Sequence, residues 1–142
     1  MSIFLDTSIL VKLYFPESDS SALESFFSAQ NFKRFYIAEI APVEFYSAVW
    51  KKVRNKDLHE EDAVLLLQNF GADMGKFSKI EQDETVIATA CSLLRKYGKS
   101  GLRALDSIQL ASAISVRADL KLAKTSDVLL EKFLLAEGVP VS

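Results

Sequence analysis

The chain has 142 residues, the size of one domain and long enough to bury a core, so no second domain is expected. Its composition, 49% hydrophobic and 25% charged, is ordinary for a globular protein, and no apolar run is long enough to cross a bilayer. A net charge of -2 sets up no global field for nucleic acid, so binding of that kind would need a local basic patch. The start Met1-Ser2-Ile3-Phe4 lacks the basic region and cleavage site of a secretory signal, and the single Cys91 rules out an intramolecular disulfide. Both point to the cytoplasm.

In chain order, Phe4 and Leu5, extended by Ile3 and Ile9, read as a buried first strand. Ser18 or Asp19 can cap a helix that carries Leu23, Phe26 and Phe27 on one face. Phe35-Tyr36-Ile37-Ala38 is β-prone, and Pro42 suits the first turn of a helix presenting Val43, Tyr46, Trp50 and Val53. From His59 to Phe70 the spacing puts Ala63, Leu66, Leu67 and Phe70 on one helical face, ahead of a short strand at Lys79 and Ile80. Asp83 caps a helix through Val86, Ala90, Leu94 and Tyr97, with Gly98 as its stop and Lys99-Ser100-Gly101 as a loop. Leu105 to Val116 reads as a helix, Leu120 to Thr125 as a strand, Val128 to Leu135 as a helix, and Val139 with Val141 as an edge strand. Strands alternating with helices imply a three-layer α/β fold around a mostly parallel sheet.

Ligands of an open parallel sheet bind outside the carboxyl ends of its strands, and acidic residues cluster at such places here. Asp6 follows the first strand, Asp127 follows the Leu122 to Ser126 segment, and Asp106 and Glu44 sit at helix starts. Taken singly, Asp106, Asp127 and Glu44 are explained as helix caps or dipole partners. Asp6 is harder to explain that way, because an unpaired carboxylate beside a buried run costs several kcal/mol. A hard cation shared by four carboxylates removes both that cost and their mutual repulsion, and would support phosphodiester chemistry. Glu39 competes with Glu44 for the fourth place, and spacing leaves the choice open.

The segments Leu5-Asp6-Thr7-Ser8, Pro42-Val43-Glu44-Phe45, Leu105-Asp106-Ser107-Ile108-Gln109-Leu110-Ala111-Ser112-Ala113 and Thr125-Ser126-Asp127 resemble the successive signatures of the PIN-domain family. The third is the most specific, and the order extends over essentially the whole chain. Among compact members the likeness is to the VapC ribonuclease toxins of type II toxin–antitoxin pairs. The resemblance implies a PIN-like α/β/α fold and hydrolysis of RNA dependent on Mg²⁺ or Mn²⁺. Asp6, Glu44, Asp106 and Asp127 then occupy the family's catalytic and metal-binding acidic positions, with Asp6 and Asp106 the first choices as direct ligands. Glu39 does not match, while Ser8 and Ser126 match hydroxyl positions beside the acids. It further implies an antitoxin partner and a homodimer. Lys124 departs from the pattern, which keeps the last strand apolar. Alternatives are a PIN nuclease of RNA processing without an antitoxin, and a catalytically silent binding module. A phosphotransfer receiver or haloacid-type phosphatase fits worse, because Asp6-Thr7-Ser8 offers no second aspartate.

Several other residues invite a function and have a simpler reading. His59, the only histidine, precedes Glu60-Glu61-Asp62 and reads as a solvated helix start. Cys91 stands at helical spacing from Ile87 and Leu94 and reads as a small buried hydrophobe. Lys51, Lys52 and Arg54 suit a helix carboxyl end, and with Arg103 they could instead contact RNA phosphates. Phe15, Tyr46 and Trp50 read as core before they read as a partner groove.

Overall fold

A computed structural model of the chain describes residues 1–15 and 20–142. Four strands, β1 (Ser2–Leu5), β2 (Arg34–Ala38), β3 (Phe77–Ile80) and β4 (Leu120–Lys124), form one sheet in the order β3-β2-β1-β4. Every pairing is parallel, with Phe4 opposite both Tyr36 and Ala123. Among the described residues, seven α-helices cover it: α1 (Thr7–Tyr14), α2 (Ser20–Ala29), α3 (Ala41–Arg54), α4 (Glu60–Asp73), α5 (Glu84–Tyr97), α6 (Ala104–Ser115) and α7 (Val128–Ala136). Among the described residues, no helix is long and apolar enough to cross a membrane.

Successive side chains of a strand point to opposite faces, and the two cores divide along that alternation. Ile3, Leu5, Ile37 and Leu122 face α1, α3 and α4, where Ile9, Phe45, Val49, Leu67 and Phe70 pack. Phe4, Tyr36, Ala38 and Ala123 face α5, α6 and α7, meeting Val86, Leu93, Leu110 and Phe133. Both faces of the sheet are therefore covered, as a parallel sheet requires, and the expected three-layer architecture is the one observed.

Several elements differ from their sequence reading. Ile9 belongs to α1 and not to the first strand, so the chain turns into a helix directly after Asp6. The expected cap of α2, Ser18 or Asp19, lies outside the described residues, as does the side chain of Leu23. In α3 the buried residues are Ala41, Phe45 and Val49, while Val43 and Tyr46 are exposed and Trp50 and Val53 half-buried. Two apolar stripes compete on that helix, and the stacking of Phe45 on Phe70 at 3.9 Å selects one of them.

The helix α4 buries Ala63, Leu66, Leu67 and Phe70 as the spacing requires, and the Asp83 carboxylate caps α5 by accepting from Val86 N. Gly98 does not end α5 in a left-handed turn. A 3₁₀ turn over Gly98–Ser100 intervenes, and Gly101, at φ 106°, makes the reversal. Cys91 is exposed on the outer face of α5 beside the exposed Ile87, contrary to its core reading, because Val86, Ala90 and Leu93 form the inner face. The expected edge strand at Val139 and Val141 reduces to a single parallel bridge between Val141 and Ala123. Lys124 ends β4 without disrupting it: its Nζ donates to Ser142 Oγ at 2.8 Å and lies 4.5 Å from the Phe26 ring centroid.

Candidate active site

The strand order reverses at β1. From β1 the chain builds outward through β2 and β3, then returns to place β4 on the other side of β1. Diverging connections at such a point leave a crevice past the carboxyl ends of the two strands. Asp6 stands at the end of β1 and Thr125 to Asp127 at the end of β4, joined by the bond from Asp6 N to Lys124 O at 3.1 Å. The amino-terminal turns of α3 and α6 bring Glu44 and Asp106 to the same crevice.

Asp6 is 7% exposed, and its Oδ2 accepts from Ser8 Oγ at 2.7 Å and Thr125 Oγ1 at 2.8 Å. Although it stands at the N-cap of α1, its side chain makes no cap bond. Capping therefore does not explain it. The hydroxyls are held in turn: Ser8 Oγ accepts from Ser126 N at 3.0 Å, and Thr125 Oγ1 from Asp127 N at 3.0 Å. Thr125, rather than Ser126, is thus the hydroxyl of that segment in contact with Asp6, while Ser126 contributes its backbone. Asp127 does cap α7, its Oδ1 accepting from Leu129 N at 2.9 Å and Leu130 N at 3.1 Å.

Glu44 Oε1 accepts from Gln109 Nε2 at 2.6 Å and Thr7 Oγ1 at 2.9 Å. Burial pushes its pKa up, against the lowering effect of those two bonds, and the charges of Asp6 and Asp106 push it further up. Asp106 is also raised, first by burial and then by the charges of Asp127 and Asp6, with Arg103 acting in the opposite sense. Glu44 is thus within reach of the charges of Asp6 and Asp106, and Asp106 within reach of those of Asp6 and Asp127. Glu39 is elsewhere: it is exposed, and its Oε2 accepts from Gln82 N at 2.6 Å in the turn after β3.

The donor set is all carboxylate oxygen, which suits a hard divalent cation. As the side chains stand, no group of three or more His, Cys, Asp or Glu among the described residues is arranged to hold a metal ion. A small cation that retains several waters and takes one or two carboxylates directly fits such an open cluster, whereas a closed protein cage does not. A cavity of about 390 Å³ opens beside it, lined by Glu44, Asp106, Arg103, Ala104 and Leu105. A second, of about 340 Å³, lies between α1 and α3 and is lined by Ser8, Lys12, Lys51, Lys52 and Asn55 among others. Lys52 is engaged there, with its Nζ 4.0 Å from the Phe15 ring centroid. His59 is exposed at the N-cap of α4, where its side chain makes no cap bond. Thr7, Gln109 and Thr125 were not singled out by the sequence, although Gln109 sits one helical turn after Asp106 and was legible as a polar residue on an inward-facing position.

A family model described as PIN domain matches residues 3–133. The chain belongs to the PIN-domain family. No curated protein matches it. Among solved structures it is similar to VapBC2 from Rickettsia felis, solved bound to a DNA fragment from the promoter, with 19% identity over 94% of this chain and 93% of that one, at a TM-score of 0.64. VapC20 of Mycobacterium tuberculosis, described as a toxin that cleaves the sarcin-ricin loop, shares 14% identity over 96% and 95% at 0.68. FitAcB of Neisseria gonorrhoeae shares 20% over 98% and 95% at 0.70. At such identities the likeness concerns the fold, and PIN membership rests on the family match.

Proposed function

We propose that this PIN domain is an endoribonuclease dependent on Mg²⁺ or Mn²⁺ and acts as the toxin of a toxin–antitoxin pair. The observation that carries the proposal is the meeting of Asp6, Glu44, Asp106 and Asp127 at the switch point of the sheet, where burial first and then the neighbouring carboxylate charges raise the pKa values of Glu44 and Asp106. Carboxylates so placed oppose folding unless a cation is there to gather them. The toxin reading is supported by similarity, over nearly the whole chain, to VapC20 and to the VapBC2 and FitAcB structures. An antitoxin, a homodimer and a cytoplasmic location belong to that reading.

Asp6 and Asp106 are the direct ligands in this account, with Glu44 and Asp127 completing the site directly or through water. The bound cation would supply an acidified water and neutralise charge on the leaving oxygen. Ser8 and Thr125 orient Asp6 through the two hydrogen bonds they donate to its Oδ2. Arg103 lines the cavity beside Asp106, and Lys51 lines the groove that leads from Ser8, so both flank the cluster as point charges for phosphates.

The test is cleavage of RNA by purified protein with Mg²⁺ or Mn²⁺ and with chelator, together with Asp106→Asn, Glu44→Gln and Glu39→Gln. Cleavage should require the metal and the carboxylates of both Asp106 and Glu44, and should survive Glu39→Gln. Full activity after metal removal verified by elemental analysis would refute the mechanism. Induced expression should arrest growth, with Asp6→Asn harmless; normal growth with a cleavage-competent protein favours RNA processing without an antitoxin.

A further inference from the structure

We infer that Gln109 is a positioning residue that, together with Thr7, orients Glu44 for the cation; the inference rests on the reading of Glu44 given under Proposed function. Gln109 is 1% exposed, on a helix whose other buried positions are Leu110, Ala111, Ala113 and the small Ser107 and Ser112, whose hydroxyls bond back to the helix's own carbonyls. An apolar side chain would pack there at no polar cost, and the backbone of a helix interior needs nothing from it. The amide donates from Nε2 to Glu44 Oε1 at 2.6 Å and to Thr7 Oγ1 at 3.0 Å. Because the Thr7 hydroxyl accepts from the amide, its single proton is directed to its other neighbour, Glu44 Oε1, at 2.9 Å.

Among the described residues, Gln109 Oε1 has no hydrogen-bond partner. Turning the amide over would bring its carbonyl oxygen against the Glu44 carboxylate, acceptor to acceptor. The orientation that leaves a buried carbonyl orphaned is therefore the one in which the donors serve Glu44. Both bonds end on the same oxygen, so Glu44 is held by Oε1 while Oε2 is left for the cluster of acids. Three elements separated widely in sequence, α1, α3 and α6, meet for this purpose. Outer groups that orient a ligand in this manner typically change metal affinity or activity about 10- to 100-fold when removed.

The experiment is titration of the purified full chain with Mn²⁺, followed by electron paramagnetic resonance, alongside metal-free melting curves. Gln109→Met is close in shape and has no donor, Thr7→Val removes the hydroxyl, and Thr7→Ser keeps it. Gln109→Met and Thr7→Val should each weaken Mn²⁺ binding about 10-fold, Thr7→Ser should bind like the parent, and in a Glu44→Gln background Gln109→Met should cause no further loss. Mn²⁺ binding by Gln109→Met and Thr7→Val within about twofold of a metal-binding parent overturns the inference alone, as does an equal loss in the Glu44→Gln background. A parent that binds no Mn²⁺ overturns the proposed function and this inference with it. Should Gln109→Met fail to fold, the Thr7 pair decides, since Ser keeps the hydroxyl that donates to Glu44 and Val, which is closer to Thr in shape, does not.

Discussion

A single carboxylate states the conflict between stability and chemistry in this chain. Asp106 and Glu44 titrate above their ordinary values of 3.8 and 4.5 in the folded protein, so the folded state has a stronger preference for a proton on each than the unfolded chain has. The stability this preference contributes is fully present below those ordinary values and is lost as pH rises through the raised ones. Asp106→Asn removes the charge while keeping the shape. Asp106 keeps part of its surface in water, and with screening the relief is about 1 kcal/mol, or roughly 3 °C for a domain of this size. Metal-free Asp106→Asn should therefore melt higher than the parent at neutral pH, and the difference should vanish as pH falls below 3.8. Mg²⁺ should raise the parent's melting temperature more than the variant's. Scanning fluorimetry across pH, with chelator and with Mg²⁺, reads both. A variant less stable than the parent at neutral pH would mean that the acids do not repel.

At the scale of elements, the helix termini separate residues that hold structure from residues that hold charge. Asp127 does both, since it caps α7 through two backbone bonds and its charge raises Asp106. Asn is as good an N-cap as Asp, so Asp127→Asn removes only the charge, while Asp127→Ala removes the cap too. The Ala variant should melt about 3 °C below the Asn variant, corresponding to about 1 kcal/mol for a cap. Equal melting temperatures would show that the cap adds nothing. A second comparison concerns the junction of α5 and α6. A Cβ on Gly98, at φ -56°, meets nothing within 4 Å, whereas one on Gly101, at φ 106°, comes 3.1 Å from Leu129 Cδ2. Gly101→Ala should cost about 1–2 kcal/mol by denaturant titration, and Gly98→Ala should be neutral or stabilising by up to about 1 kcal/mol. The opposite order would return the helix stop to Gly98.

For the molecule as a whole, the two cores share one sheet, each face held by different helices. Removing either layer exposes β1 and β2 on that face, so the layers should unfold together as one domain. Trp50, the sole tryptophan, packs against the α1, α3 and α4 core, whereas Phe133 is 6% exposed in the opposite one, 4.7 Å from the Tyr97 ring. Phe133→Ala should cost about 3 kcal/mol. Its denaturation monitored by Trp50 fluorescence should shift with that monitored by far-UV circular dichroism, in one transition. A Trp50 transition left in place while the dichroism moved would show two independently unfolding layers.

By itself the sequence determined what depends on neighbours along the chain. Continuous apolar runs marked β1 and β2, the 3.6-residue spacing marked α4 and its buried face, and the residue before a helix marked Asp83 as a cap. It also marked the acids that follow a strand or open a helix, and the PIN resemblance, not spacing, chose Glu44 over Glu39 as the fourth. Only the tertiary structure decided which groups meet. That Glu44 meets Gln109 and Thr7 depends on α3 approaching α6 and α1, and the contact of Gln109 with Thr7 spans 102 residues. The same holds for the side of α3 that is buried, where Phe70 of α4 selects Phe45 over Val43 and Tyr46, and for α1, whose buried run Thr7, Ile9, Leu10 and Val11 carries no single apolar stripe to read. Periodicity reports on one element's own faces, whereas the order of strands in the sheet sets which faces and which ends come together.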